Sequence, residues 1–391
     1  MKKIKFEEIV LAALLHDVGK SMQRGGEKEH GYSDKDIALF CPSSKKHGKE
    51  QRTHKHLLYS GKFAKIIFGK ESIIETLCLG HHSPNTSYQK LIHVADGLAA
   101  SERFKFKNEE ALTEKCSSPE KTPLLSIFSL LNISPDEILE FWNELFWFPP
   151  GKDTEVLYPA PKNSTPCHYR YRIHDGEVKT GNEYLWKDFK NAAMVLKNKH
   201  QGKITLHTIN EWEYLLKMYF SFIPSASPWD TQHFYLPDIS LYFHSKLTAA
   251  IAGCLYKVLN NEEDMDSKLE EILSKKGIYY DNIFLLVGGD ISGIQKFIYT
   301  LTSKGAAKTL RGRSVYLELL TRTAARYILR RFEFPDLNII YEGGGRFYIL
   351  LPGFVEKELK EISEDIEKKM FEIHQGELNV IVEGISFSPW A

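Results

Sequence analysis

The sequence has little cysteine and none of it is paired in a motif: Cys41, Cys78, Cys116, Cys167 and Cys254 are scattered, odd in number and without a C-x-x-C. That argues against a disulfide framework and a zinc ribbon, and fits a reducing compartment. Long apolar runs are also missing. No stretch approaches the roughly 20 apolar residues needed to span a membrane, and Glu7 and Glu8 interrupt the one N-terminal segment that imitates a signal peptide. The expectation is a cytoplasmic protein with no membrane association. Neither sign of charge is in excess, with 51 Lys and Arg against 51 Asp and Glu. The whole chain is therefore no polyelectrolyte, and any nucleic-acid site must arise from uneven local charge.

What is present suits a globular protein: 42% hydrophobic and 26% charged residues over 391 positions, a length that implies two or three domains at roughly 100 to 200 residues each. Residues 1–107 read as a helical unit, because EEIVLAALLHDVG, HLLYSGKFAKIIFG, ESIIETLCLGHH and KLIHVADGLAASERF place apolar residues at helical spacing; residues 21–53 read as a polar loop within it. Residues 108–280 read as a helical connector, with a helix expected around Pro135 to Phe146 and an irregular, Pro-rich linker from Phe148 to Pro166. Residues 281–391 alternate pattern types in the order β-α-β-β-α-β, which predicts a ferredoxin-like palm. The predicted class is thus α+β multidomain.

Eight of the fifteen histidines fall within the first 100 residues. His16 and Asp17 offer an imidazole and a carboxylate from adjacent positions, and His56, His82 (or His81) and Asp96 are the candidate partners from neighbouring helices, with His54 weaker. Mixed nitrogen and oxygen donors favour a divalent transition metal (Mn, Fe, Co, Ni or Zn) over Ca, with Mn, Ni or Co foremost. Such an ion activates water and polarises a phosphodiester. Lys20, one helical turn beyond His16, is placed to neutralise a phosphate oxygen. His93, three residues before Asp96 on the same helix face, reads as a core or surface residue in preference to one that supports a metal ligand. The order of these motifs resembles the HD phosphohydrolase superfamily, with one departure: those enzymes carry a further metal-binding histidine on a helix before the His-Asp pair, and only fifteen residues precede His16. A permuted HD domain accounts for this and leaves open which histidine completes the set.

A second constellation lies between Gly288 and Tyr316. Gly288, Gly289 and Gly293 read as a glycine-rich turn after the strand IFLLV, bringing backbone close to a ligand. Asp290, Ser292 and Gln295 are the candidate polar contacts, and Lys304, Lys308, Arg311 and Arg313 the candidate phosphate contacts. From Lys296 to Arg331 there are nine Lys or Arg and one acid, Glu318. Arg322, Arg326 and Arg330 recur on one helix face, as either a phosphate-binding or a solvated stripe. The hairpin YEGGGRFYILL has no carboxylate at its Gly343-Gly344-Gly345-Arg346 turn, where palm-type cyclases and polymerases carry the acids that hold their metals. This palm is expected to bind or scaffold rather than catalyse.

GDISGIQKFIY, GAAKTLRGRS, IPSASPWDTQHFYLPDISLYFHSKLTAAIA, TPLLSIFSLL and LLHDVGK together resemble the large signature subunit of type III-A CRISPR effector (Csm) complexes, collinearly over nearly the whole chain. The resemblance implies a permuted HD nuclease cutting single-stranded DNA, using His16, Asp17, His56, His82 and Asp96 with Lys20 beside them, and a first palm using Asp290, Ser292, Gly293 and Lys308 to Arg313. It also implies guide RNA and other effector subunits as partners. Family members continue into a second palm with Gly-Gly-Asp-Asp that makes cyclic oligoadenylate, so this chain is expected to correspond to the N-terminal half and to offer half of an ATP pocket, filled when paired with that second palm. The rival readings are a non-catalytic assembly or RNA-binding module and an HD nucleotidase.

Overall fold

The structure, a computed structural model, describes residues 4–46, 49–100, 122–130, 146–148, 152, 160–161, 170–172, 178–226, 236–260, 264–274, 282–300 and 306–389. The helix expected around Pro135 to Phe146, most of the Phe148 to Pro166 linker, Cys116, Cys167 and Lys304 lie outside these residues. The chain divides into two compact units, Met1–Ala249 and Ala250–Ala391.

The first unit is built on helices α1 (Phe6–Leu15), α2 (Val18–Arg24), α3 (Asp34–Phe40), α4 (His56–Phe68), α5 (Ile73–Gly80), α6 (Ser87–Ala99), α7 (Gly181–His200), α8 (Leu206–Phe220) and the start of α9 (Leu241–Leu259). Short antiparallel ladders accompany them: β1 (Ser43–Lys46) with β2 (Lys49–Arg52), β3 (Leu124–Leu125) with β4 (Phe146–Phe148) and β5 (Ala160–Pro161), and β6 (Arg170–Arg172) with β7 (Val178–Thr180). α1 is buried on every side from Ile9 to Leu15, as expected of a helix apolar all round. The aromatic rings of α7 and α8 extend the same core: Phe63 of α4 lies 5.5 Å from Phe189, which in turn lies 4.6 Å from Phe220.

Residues 21–53 are not the plain loop their polarity suggested. Ser33 caps α3, its hydroxyl accepting from the Asp36 N–H while the Asp36 carboxylate accepts from the Ser33 N–H, and this reciprocal box sets a helix start within a polar segment.

The second unit holds α10 (Met265–Leu273), β8 (Phe284–Ser292), α11 (Ile294–Tyr299), α12 (Ala306–Arg331), β9 (Ile339–Gly343), β10 (Arg346–Pro352), α13 (Glu356–His374) and β11 (Asn379–Phe387). Its four-stranded antiparallel sheet has the order β11-β8-β10-β9. Leu285, Val287, Gly289 and Ile291 of β8 are buried, alternating with the exposed Leu286, Asp290 and Ser292 and the half-buried Gly288, the period of two that a strand imposes. Helices α12 and α13 pack on the sheet. No described helix is long and apolar enough to cross a membrane.

The glycine-rich turn expected at Gly288 and Gly289 is a correction. Both residues lie inside β8, paired with Tyr348 and Phe347 of β10, and only Gly293 leaves the strand, at φ 85°. A Cβ at Gly289 would sit 2.1 Å from the fully buried Phe347 ring, whereas one at Gly288 would sit 3.4 Å from Tyr348. Gly289 thus makes room for core packing. Gly289→Ala is expected to destabilise the chain by about 1–3 kcal/mol, and Gly288→Ala by less than about 0.5 kcal/mol, compared by denaturant midpoints.

Candidate metal centre

α1 ends at His16 and α2 begins after Asp17, so the pair occupies the corner between two buried helices. The corner is pressed against α4: a Cβ on Gly19 would fall 2.0 Å from the His56 carbonyl oxygen, and the Gly19 N–H donates to Ser60 Oγ at 2.8 Å. Only glycine permits that approach, and the approach brings the first residue of α4, His56, onto Asp17.

The resulting cluster is dense. His16 Nε2 lies 3.4 Å from Asp17 Oδ2 and 3.5 Å from Asp96 Oδ1. His56 Nε2 lies 3.2 Å from Asp17 Oδ1. His244, in the first turn of α9, places Nε2 3.0 Å from Asp96 Oδ1 and 3.5 Å from Asp17 Oδ2. Lys20 Nζ donates to Asp17 Oδ2 at 2.5 Å and to the Ser225 carbonyl at 2.9 Å. His81 meets His16 edge to face at 4.8 Å. Three overlapping donor groups, each with its atoms within 4.8 Å of one another, result among the described residues: His16, Asp17 and His244; His16, His81 and Asp96; His56, His81 and His82.

Hydrogen bonds behind the rings decide which nitrogens face inward. His16 Nδ1 faces the Ala13 carbonyl at 2.7 Å and His81 Nδ1 the Cys78 carbonyl at 2.8 Å. A carbonyl only accepts, so each Nδ1 carries its proton and Nε2 is presented to the cluster. His93 Nδ1 donates to the His81 carbonyl at 2.8 Å, fixing the turn that carries His81 and His82. The Nε2 atoms of His16, His56 and His81 and Oδ1 of Asp17 are buried without a hydrogen-bond partner. Such groups are costly in a protein interior unless a ligand meets them.

The electrostatics divide the histidines. Burial disfavours a charged His16, but the carboxylates of Asp17 and Asp96 override it and push its pKa up to about 10. Burial alone would raise Asp17, yet Lys20, His16 and His56 hold it well below the usual carboxylate range, and His16 and His244 do the same for Asp96. Burial drives His56 well below its ordinary value and, with the neighbouring His16, takes His81 down to about 3. His82 is lowered by the same cause.

All five residues first proposed as ligands, His16, Asp17, His56, His82 and Asp96, therefore lie in or beside the cluster, as does Lys20. His81 contributes to two of the donor groups and His82 to one. His54 is exposed, in a left-handed conformation (φ 58°), with its ring 4.3 Å from that of His82. Sequence reasoning missed His244. Its signal was a lone histidine in the apolar helix LYFHSKLTAAIA, beyond the segment in which the other ligands were sought.

The second constellation is less assembled. Asp290 pairs with Arg346 Nε at 2.8 Å. Arg313 donates to the carbonyls of Phe297 and, at 2.8 Å, Thr300, and lies over the Phe297 ring. It thus closes the end of α11. Ser292, Gln295, Lys308 and Arg311 are exposed and Gly289 is buried. In the arginine stripe, Arg322 pairs with Glu318 at 2.7 Å and Glu342 at 3.2 Å, and Arg326 pairs with Asp336 at 2.6 Å.

Residues 283–390 match the family model for Csm1 subunit domain B. Over 98% of its length the chain is 28% identical to the single-strand-specific deoxyribonuclease Cas10/Csm1 (subtype III-A) of Methanocaldococcus jannaschii, and over 88% it is 28% identical to that of Enterococcus italicus. The chain is a homologue of the Cas10/Csm1 proteins. It spans 46% and 42% of those two relatives, less than half of either. The crystal structure of Csm1 from T. onnurineus superposes with a TM-score of 0.62 at 21% identity, covering 99% of this chain and 46% of that one. A Csm1-Csm4 cassette in complex with one ATP gives 0.61 at 21% identity, covering 98% and 44%. These two likenesses speak for a Csm1 fold.

The depressed histidines make acid stability a test of the cluster. Groups whose folded pKa lies below the unfolded value of about 6.5 contribute stability that is present above that value and lost as pH falls toward the folded pKa. Metal-free protein is therefore expected to lose stability from about pH 6.5 downward. His81→Asn should reduce the slope between about pH 4.5 and 6 by about 1.4 kcal/mol per pH unit, measured by urea unfolding in chelator. An unchanged slope would show that His81 titrates normally.

Proposed function

We propose that this chain carries a divalent-metal-dependent nuclease for single-stranded DNA in an antiviral CRISPR effector assembly. The observation that carries the reading is the convergence of His16, Asp17, His56, His81, His82, Asp96 and His244 in three overlapping donor groups, with Nε2 of His16, His56 and His81 buried and without a hydrogen-bond partner. The donor set fits a divalent transition metal: imidazoles of His56, His81 and His82 that burial holds neutral, two carboxylates held ionised, and backbone carbonyls fixing the tautomers of His16 and His81. Mn, Ni or Co are the ions of choice. The proton held by His16 in the metal-free chain marks where a positive charge belongs, and ion binding would release it.

A divalent ion bound there supplies a water of lowered pKa and a polarised phosphodiester. The chain's own residues do the rest. Asp17 and Asp96 provide anionic donors from two helices, His16, His56, His81 and His244 hold fixed positions around them, and Lys20 shields the Asp17 charge. The names of the relatives support single-stranded DNA as substrate.

In this reading residues 1–107 supply most of the permuted HD domain, 108–280 connect it and return His244 to it, and 281–391 form a ferredoxin-like palm. Support for the palm comes from the β11-β8-β10-β9 sheet and its helices, and from the match to Csm1 subunit domain B. We assign it a scaffolding role and half of an ATP pocket, with Gly289, Asp290, Ser292, Gly293, Gln295, Lys308 and Arg311 as candidate contacts when a second palm is present. Arg313, bonded to backbone, is the weakest of that set. Guide RNA and a Csm4-type subunit are the proposed partners, since solved neighbours are Csm1-Csm4 assemblies.

Circular single-stranded DNA should be cut with Mn, Ni or Co and left intact in EDTA. His16→Ala, Asp17→Ala and His244→Ala should each lower the rate at least about 100-fold; cleavage unaffected by all three would remove the assignment. Failure to cut with any metal would favour a non-catalytic assembly module. Hydrolysis of mononucleotides alone would favour a nucleotidase. With ATP and no second palm, the chain is expected to make no oligoadenylate, because the Gly343 to Arg346 turn lacks carboxylates; product detected by chromatography would overturn that assignment.

A further inference from the structure

We propose that Lys20 is a positioning residue: it latches the chain segment that delivers His244 to the metal centre, and its contact with substrate phosphate is secondary. Two hydrogen bonds from one ammonium define the latch. Lys20 Nζ donates to Asp17 Oδ2 at 2.5 Å and to the Ser225 carbonyl at 2.9 Å, joining the His-Asp corner to a segment 205 residues away.

What Ser225 belongs to gives the bond its consequence. The Ser225 N–H donates to the Ile239 carbonyl at 2.9 Å, Pro224 bridges Ser240 antiparallel, and the Leu241 N–H donates to the Ile223 carbonyl at 2.6 Å. This short ladder leads directly into α9, where the His244 N–H bonds the Ser240 carbonyl at 3.0 Å. His244 therefore sits one turn beyond a ladder that Lys20 pins to Asp17. Its Nε2 reaches Asp17 and Asp96 from there. Residues 16, 17, 56, 81 and 96 arrive on helices α1, α2 and α4 to α6, which pack on one another directly. His244 arrives from far along the chain, and the latch fixes where it lands.

Lys20 is also poorly placed to wait for a phosphate. Its side chain is 23% exposed and two of its three N–H donors are already committed to a carboxylate and a carbonyl.

The latch and simple electrostatics predict opposite signs. Removing a cation 2.5 Å from a metal-binding carboxylate should strengthen metal binding. Losing the latch should weaken it, because His244 is no longer held on the site. Two measurements on the full chain decide. The first needs no metal: hydrogen exchange of peptides covering residues 236–245 should be at least about tenfold faster in Lys20→Met than in the native chain. The second is the affinity for Mn²⁺ alone, whose interpretation rests on the metal-hydrolase reading above. It should fall at least about tenfold in Lys20→Met, stay within about threefold in Lys20→Arg, and show no fall when Lys20→Met is made in the His244→Ala background. Unchanged exchange at 236–245 overturns the latch, as does tighter Mn²⁺ binding by Lys20→Met or an equal fall in the His244→Ala background. If the native chain binds no Mn²⁺, Ni²⁺ or Co²⁺, the metal-hydrolase reading fails, and the exchange measurement still decides the latch.

Discussion

The buried carboxylate of Asp17 is the constraint around which the first unit is arranged. It is almost fully removed from water, and an ionised carboxylate so placed costs several kcal/mol unless cations and donors surround it. Four nitrogens do so, from His16, Lys20, His56 and His244. His16 and Lys20 flank Asp17 in sequence, whereas His56 and His244 come from distant stretches of chain and need packing devices to reach it. Gly19 lets α2 lie against the start of α4, backbone carbonyls orient His16, and the ladder before α9 sets His244. Removing the charge would leave His56 and Lys20 without their carboxylate and His16 and His244 with Asp96 alone, which is why the cluster reads as one cooperative object.

The second unit uses its charges differently. The cations that make residues 296–331 look like a nucleic-acid surface are in part already spent within the fold: Arg313 closes the end of α11, Arg322 joins Glu318 to Glu342, and Arg326 holds Asp336 beside the turn into β9. Arg346, at the carboxylate-free turn between β9 and β10, pairs across the ladder with Asp290. Lys308 and Arg311 are left exposed on the first turns of α12, as are Lys296 on α11 and Arg330 and Arg331 at the end of α12.

How much of this was legible in the sequence depended on distance along the chain. The alternating strands of the second unit and the helices of the first follow from apolar periodicity, a local signal. His16, Asp17, His56 and Asp96 could be found because they are spread over helices consecutive enough to be imagined packed together. The sequence favoured His82 over His81; both follow the last residue of α5, and the bond from His81 Nδ1 to the Cys78 carbonyl, which turns the first ring inward and brings His81 into two of the donor groups, is not visible in it. Gly289 was misread because a glycine beside a strand end suggests a turn, and the reason for its absence of side chain, the Phe347 ring, lies on another strand. Residues 21–53 were misread because charged residues that cap a short helix look the same as those of a loop.

His244 shows why a distant ligand is physically reasonable. The entropic cost of closing a flexible loop grows only with the logarithm of its length, about 0.6 kcal/mol for each doubling, so recruiting a ligand from far along the chain costs little more than recruiting one nearby. What distance does remove is geometric control, because no short helix-helix connection dictates where the late residue lands. That control must come from contacts made after the chain returns. Here they are the ladder of residues 223–225 with 239–241 and the ammonium of Lys20, which holds the ladder and Asp17 together. Pairing with Asp17 and Asp96 then gives His244 an electrostatic reason to stay. An ion bound among these residues would add its binding free energy to the same contacts, so the metal centre and the closure of the first unit are expected to strengthen each other.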